Sequence, residues 1–340
     1  MAADVRRSGC TGAGGRMEES VENVILRDYI AAGNSIYSTE KTLYHYTSVE
    51  VFRKILENRE FWISNANFMN DEQEIMNGIE LCRKVILRKK SEMRHPSAGR
   101  VAGRAEYDAG QEAYLDALLE SCDRRESAGL FNIHSENIFA MSFCSSGDIL
   151  TQWQEYANGG IAIGFRNAPR GSSDRIMLKS TGGVLSDMDT IRVIYSVEDK
   201  EKALSDIIGI GMHRIAAHPN ENVREVLQES VSDALYQFFP AMKSRYFNHE
   251  RESRFIYYVE EENQAEVAFR EKQGIILPYV RMQIVNAEGQ PHQELPIDDI
   301  VISPGPRIEY VEKSVKYFLR MAGYGYLTDK VRRSDIPYRV

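Results

Sequence analysis

The sequence predicts an α+β fold, a mixed and mostly antiparallel central sheet with several helices and a helical insertion. Short β-branched and aromatic runs recur along the chain, at 42–48, 61–64, 138–144, 160–165, 191–195, 253–259, 277–285 and 297–303. Helix-prone stretches fall between them without the regular alternation of a doubly wound sheet. The composition is globular, with 43% apolar and 27% charged residues. No apolar run approaches the roughly 18–20 residues that span a bilayer, which excludes a membrane-spanning helix.

Each element has a local reason. Residues 18–32 carry Val21, Val24, Ile25 and Tyr29 at helical spacing. Ser48 is a natural N-cap for a helix over 49–58 that turns Val51, Phe52, Ile55 and Leu56 inward. Asp71 reads as the cap of a helix from Glu72 to about Lys90. Residues 149–156 read as a short helix, and 309–322 as the last one. Pro304-Gly305-Pro306 stops the strand before that helix. Residues 1–16, rich in Gly, Ala and Arg, read as a flexible N-terminal tail. Residues 17–340 read as a single α+β domain with helical insertions near 89–135 and 198–247.

The net charge is −8, which argues against a dedicated nucleic-acid binder, although a local basic groove is compatible with it. Four cysteines lie scattered without a CxxC pair, as expected of reduced thiols in a cytoplasmic protein. The seven histidines lie too far apart in sequence for metal-ligand spacing.

Four constellations could carry chemistry. His45, between Tyr44 and Tyr46, is either a core histidine or a donor to a ribose or phosphate oxygen. Ser64, Asn65, Asn67, Asn70, Asp71 and Glu74 form either turns and caps or the polar wall of a cleft. Ser142 lies in a strand, and Trp153 and Tyr156 share one helical face, where they either fill the core or stack on a ring. The fourth comprises Lys243, Arg245, Phe247, Glu250, Glu252 and Arg254. In an extended segment Glu250, Glu252 and Arg254 form one row. Paired carboxylates there could bind a sugar hydroxyl and stabilise positive charge at an anomeric carbon, or simply form a charge ladder.

With these residues in view, the chain resembles a family of bacterial and phage proteins known as domain of unknown function 2971. The resemblance runs from about Leu43 to Tyr338. It rests on Tyr44-His45-Tyr46-Thr47, Asn70-Asp71 with Glu74, Ser142-Phe143, Trp153 with Tyr156, Gly160 with Gly164-Phe165, Lys243 with Phe247-x-x-Glu250-x-Glu252-x-Arg254, Gly305-Pro306 and Ser334-x-Ile336-Pro337-Tyr338. A second resemblance, carried by His45, Ser142 and Glu250-x-Glu252 in that order, is to the ADP-ribosyltransferase superfamily. It implies an NAD-consuming enzyme, a transferase or glycohydrolase acting as a toxin or anti-phage effector, with NAD as substrate and the acceptor, protein or nucleic acid, unspecified. His45 would hold a ribose, Glu252 would stabilise the oxocarbenium-like state, and Glu250 would position the acceptor. Tyr46, Asn70, Asp71, Ser142, Trp153, Tyr156, Lys243 and Arg254 would line the substrate site. That reading requires His45 and Glu252 to converge on one cleft. The alternatives are a non-enzymatic interaction module of a defence or regulatory system and a metal-dependent hydrolase or nuclease using Asp71, Glu74, Asp148, Glu250 and Glu252.

Overall fold

The computed structural model describes residues 24–69, 74–94, 109–122, 137–157, 159–169, 171–217, 230–235, 238–272 and 274–337. In chain order the elements are α1 (Val24–Ala31), β1 (Thr42–Thr47), α2 (Val49–Asn58), β2 (Glu60–Asn65), α3 (Glu74–Arg94), α4 (Ala109–Ser121), β3 (Ile138–Cys144), α5 (Leu150–Glu155), β4 (Ile161–Arg166), β5 (Met177–Ser180), β6 (Leu185–Asp187), β7 (Thr190–Arg192), α6 (Val197–Ala217), β8 (Glu252–Tyr258), β9 (Val267–Lys272), β10 (Ile275–Val285), β11 (Ile297–Ile302), α7 (Ile308–Met321) and β12 (Val331–Arg333). The fold is α+β. Its twelve described strands join in one open, mostly antiparallel sheet, with β11 and β12 parallel.

Strand β3 organises this sheet. Along one edge it pairs with β8 over its whole length, from Ile138↔Tyr258 to Cys144↔Glu252. Its other edge is shared, with β2 at Phe139 and Ala140 and with β1 only at Cys144. The sheet forks there into two wings. One wing runs β1–β4–β11–β12, and the other starts with β2 and β10 and carries β5, β6 and β9.

Strand alternation sends the two faces of the sheet into different cores. Phe139, Met141 and Phe143 of β3 and Phe255 and Tyr257 of β8 enter a first core with Phe61, Phe165, Val280 and Ile300, closed by α2 and α7 through Phe52, Leu56, Val315 and Leu319. Ile138 and Ala140 face the other way, into a second core built by α1, α3, α4 and α6. Tyr114, Leu115 and Leu118 of α4 are fully buried there, so the described part of the region near 89–135 is a core layer.

Ser48 caps α2 as its sequence requires, its hydroxyl accepting the N–H of Val51. Phe52, Ile55 and Leu56 are buried, whereas Val51 is 39% exposed on the flank of their stripe. Strands β5, β6, β9 and β12 escape sequence reading. β5, β6 and β12 are three or four residues long, and β9 carries the helix-favouring run Arg270-Glu271-Lys272, which pairing with β10 overrides. Within 198–247 helix α6 ends at Ala217 and residues 230–235 are helical again. Later in that segment Pro240 sits in a 3-10 turn, Met242 bridges to Ile194, and Arg245–Glu250 is a second 3-10 turn.

Gly160 enters β4 directly against the backbone of β1, and a Cβ there would overlap the Thr47 carbonyl. Gly160→Ala is therefore expected to cost at least about 1–3 kcal/mol in denaturant unfolding, because backbone cannot move aside as a side chain can. An unchanged midpoint would contradict this packing.

Candidate functional site

Strand β8 begins where the Arg245–Glu250 turn ends. Arg251, at φ 47°, adopts the left-handed conformation and redirects the chain between the two glutamates. Glu250 therefore closes the turn instead of extending the row of Glu252 and Arg254, as a fully extended segment would require. Lys243 brings the carboxylates together: its Nζ donates to Glu250 Oε2 at 2.7 Å and to Glu252 Oε2 at 3.2 Å. Arg254 donates to both Glu252 oxygens, at 2.8 and 3.1 Å, in a bidentate pair. The Ser142 hydroxyl adds a further bond to Glu252 from β3. Tyr195, whose contribution has no local sequence signal, accepts the Glu252 N–H at 2.9 Å.

All four charged residues are between 2% and 4% exposed. Two cations offset two anions, as buried charges require. Burial alone would raise the Glu252 carboxyl, but Arg254 first and Lys243 second outweigh it and hold the group at about 2. Burial would lower Lys243, yet Glu252 and Glu250 carry it above the ordinary lysine range. Glu250 is raised by burial against the pull of Lys243, and its Oε1 is buried without a hydrogen-bond partner. Cys144, in register with Glu252, has its thiol pushed up by burial and then by the Glu252 charge, the reverse of an activated nucleophile.

His45 does not join this group. Tyr44 and Tyr46 lie on the Glu252 side of β1, and alternation sends His45 to the first core. Its ring packs at centroid distances of 5.9 Å from Phe143 and 6.4 Å from Phe61. Nδ1–H donates to the Ser142 carbonyl at 3.1 Å, at the fork where that carbonyl meets neither β1 nor β2. A carbonyl only accepts, so the proton sits on Nδ1. Burial lowers the imidazole below the ordinary histidine value and outweighs the opposing pull of that bond. The expected convergence of His45 with Glu250 and Glu252 on one cleft is thus corrected: they occupy opposite faces, with Ser142 bonded to each side.

Tyr46 and Trp153 instead build a small cluster with Cys144, at a centroid distance of 4.7 Å and edge to face. The Tyr46 hydroxyl donates to the Ser146 carbonyl and accepts from the Ile149 N–H. Asp148 accepts from Trp153 Nε1 at 2.8 Å, Ser334 Oγ at 2.6 Å and the Asp335 N–H at 2.8 Å, and so fastens residues 334–336 to the loop before α5. Trp153 is 3% exposed and Tyr156, beyond the helix end, 38%, so the shared helical face of these two rings is not realised. Asn65 is a turn cap accepting the Asn67 N–H. Asn70 and Asp71 lie outside the described residues.

Among the described residues no three His, Cys, Asp or Glu side chains stand together as a metal site. Asp148, Glu250 and Glu252, assigned to a metal in one expectation, are occupied by the partners above. A cleft of about 280 Å³ adjoins the charge network and is lined by Asn77, Tyr195, Lys200, Ser244, Arg245 and Tyr246 among others. Asp148, Glu250 and Glu252 do not line it. No family model, curated protein or solved structure matches the chain.

Glu252 is held near 2 against an ordinary 4.5, so its share of stability is present above pH 4.5 and lost as pH falls from 4.5 towards 2. That share is on the order of 3 kcal/mol. Glu252→Gln is expected to cost about 3–5 kcal/mol at neutral pH, because it strands Arg254 and Lys243, and to flatten the acid-side loss of stability. Urea unfolding across that window, wild type against variant, measures both; parallel profiles would contradict the assigned charge state.

Proposed function

We propose that the chain works as a non-catalytic interaction module in a bacterial defence or regulatory system. The observation that carries this reading is the closed charge balance of the Lys243–Glu250–Glu252–Arg254 network. Stabilising an oxocarbenium-like state requires a carboxylate oxygen that faces the sugar. Both oxygens of Glu252 are engaged by Arg254, and Lys243 and Ser142 bond the carboxylate as well. Reaching that carboxylate would require breaking buried ion pairs, at a cost of several kcal/mol. The motif residues that look catalytic in sequence act as ties between β3, β8 and the turns before β8.

The second reading is the NAD-consuming enzyme. One observation favours it: His45 sits partly exposed at the fork, with Nδ1–H committed to Ser142, so Nε2 keeps the lone pair that could accept a ribose hydroxyl.

Incubation of the purified protein with NAD separates the two. The expected result is nicotinamide release no faster than in protein-free buffer for wild type, His45→Ala and Glu252→Gln alike. Release by the wild type that either variant abolishes, with the variant still folded by circular dichroism, overturns the module reading.

A further inference from the structure

The outward face of the β2–β10–β9 wing differs from the rest of the surface. Register places Trp62 and Ser64 of β2, Tyr279, Arg281 and Gln283 of β10, Arg270 and Lys272 of β9 and Lys179 of β5 on this one face, opposite the buried Val280, Met282 and Ile284. Trp62 stacks on Tyr279 at 4.6 Å with the rings 27° apart. The Arg270 guanidinium lies 5.7 Å from the Trp62 centroid and 5.4 Å from that of Tyr279. Its Nη2 donates to Ser64 Oγ at 2.8 Å, while its Nε is buried without an acceptor.

Some surface arginines elsewhere are paired, Arg53 with Glu57, Arg88 with Glu201, Arg332 with Asp299 and Arg333 with Glu312; what sets this face apart is four cations gathered on neighbouring strands. Arg270, Arg281, Lys179 and Lys272 have no carboxylate partner among the described residues. Glu60 and Asp187, the acids in register on this face, are taken by Trp62 Nε1 at 2.7 Å and by Arg175. In a chain of net charge −8, a face with four cations lacking a carboxylate partner and two engaged acids is a local inversion of sign.

We propose that this face binds single-stranded nucleic acid, with a base stacking on the partly exposed Trp62, which the buried Tyr279 (8% exposed) and Arg270 back, and phosphates held by Arg270, Arg281, Lys179 and Lys272. Charge complementarity fixes the anionic partner. The ring platform selects unstacked bases, which a duplex hides. Phe269 and Ile276, 65% and 69% exposed, lie on the opposite face of the same hairpin, while Ile275, 54% exposed, shares the cations' face opposite Lys272, so the cations adjoin one exposed aliphatic side chain and not the Phe269–Ile276 pair. The partner so named rests on the interaction-module reading.

Fluorescence anisotropy with labelled 12-nucleotide poly-U and poly-dT strands, a 12-base-pair duplex and phosphatidylserine vesicles tests it. Either strand is expected to bind more tightly than the duplex, and the two strands tell whether RNA or DNA is preferred. The log–log salt slope should be near about −3, from four phosphate contacts. Trp62→Ala is expected to weaken binding about 10-fold or more. Arg281→Glu, at an exposed position that leaves the core untouched, should do the same and flatten the salt slope. Duplex binding as tight as single-strand binding, unchanged binding by folded Arg281→Glu, or vesicle binding that the same variants abolish would each overturn the proposal. Nicotinamide release with strand binding intact would overturn the module reading and leave this site standing; loss of strand binding without release does the reverse.

Discussion

Four charges buried at 2–4% exposure have to be compensated wherever the chain puts them, and Lys243, Glu250, Glu252 and Arg254 pair with one another. That constraint fixes much around it. Arg254 also reaches the Pro240 carbonyl, Lys200 donates to the Lys243 carbonyl, and Tyr195 receives the Glu252 N–H. The two 3-10 turns, helix α6 and strands β3 and β8 are thereby tied at one point. Removing any single charge leaves an unpaired partner in a site that water does not reach, which is why such groups hold their places as a set.

Much of the architecture was legible in the chain. Near-continuous apolar runs mark β3 and β4, Ile300-Val301-Ile302 marks β11, and Ser48 followed by the Phe52–Ile55–Leu56 stripe announces α2. Short strands such as β6 and β12 carry too few residues to show a period, and β9 is spelled in helix-favouring letters. At the candidate site the residue types were legible and the geometry was not. A glutamate two residues from another suggests one row until Arg251 adopts positive φ. Which face His45 takes depends on the register of β1 against β3, a long-range fact with no local trace.

The same distinction explains why polar and aromatic motifs can look catalytic and yet be structural. Tyr46, the Asp148–Trp153 pair and Ser334 are far apart in sequence and meet through hydrogen bonds and ring contacts that close the β1–β4–β11–β12 wing. Tyr44 does likewise at Asp299, where Arg332 also bonds. The outward face of the other wing shows the contrary pattern, with cations left uncompensated and an orphan N–H beside two rings. Polar groups that find partners within the fold report on stability, and those that find none direct attention to what arrives from outside.

The fork at β3 has a kinetic consequence. His45 and Ser142 are 97 residues apart, and Arg166 of β4 and its partner Asp298 are 132 apart, so neither wing can close through local contacts. Loop closure has to precede the pairing that compensates it, which places this topology among slow-folding ones. Until β8 emerges to cover the first edge of β3 and β1 and β2 divide the second, β3 is an apolar strand with both edges open. During synthesis it is therefore the segment most exposed to mispairing with another chain, and the one a chaperone would have most reason to hold.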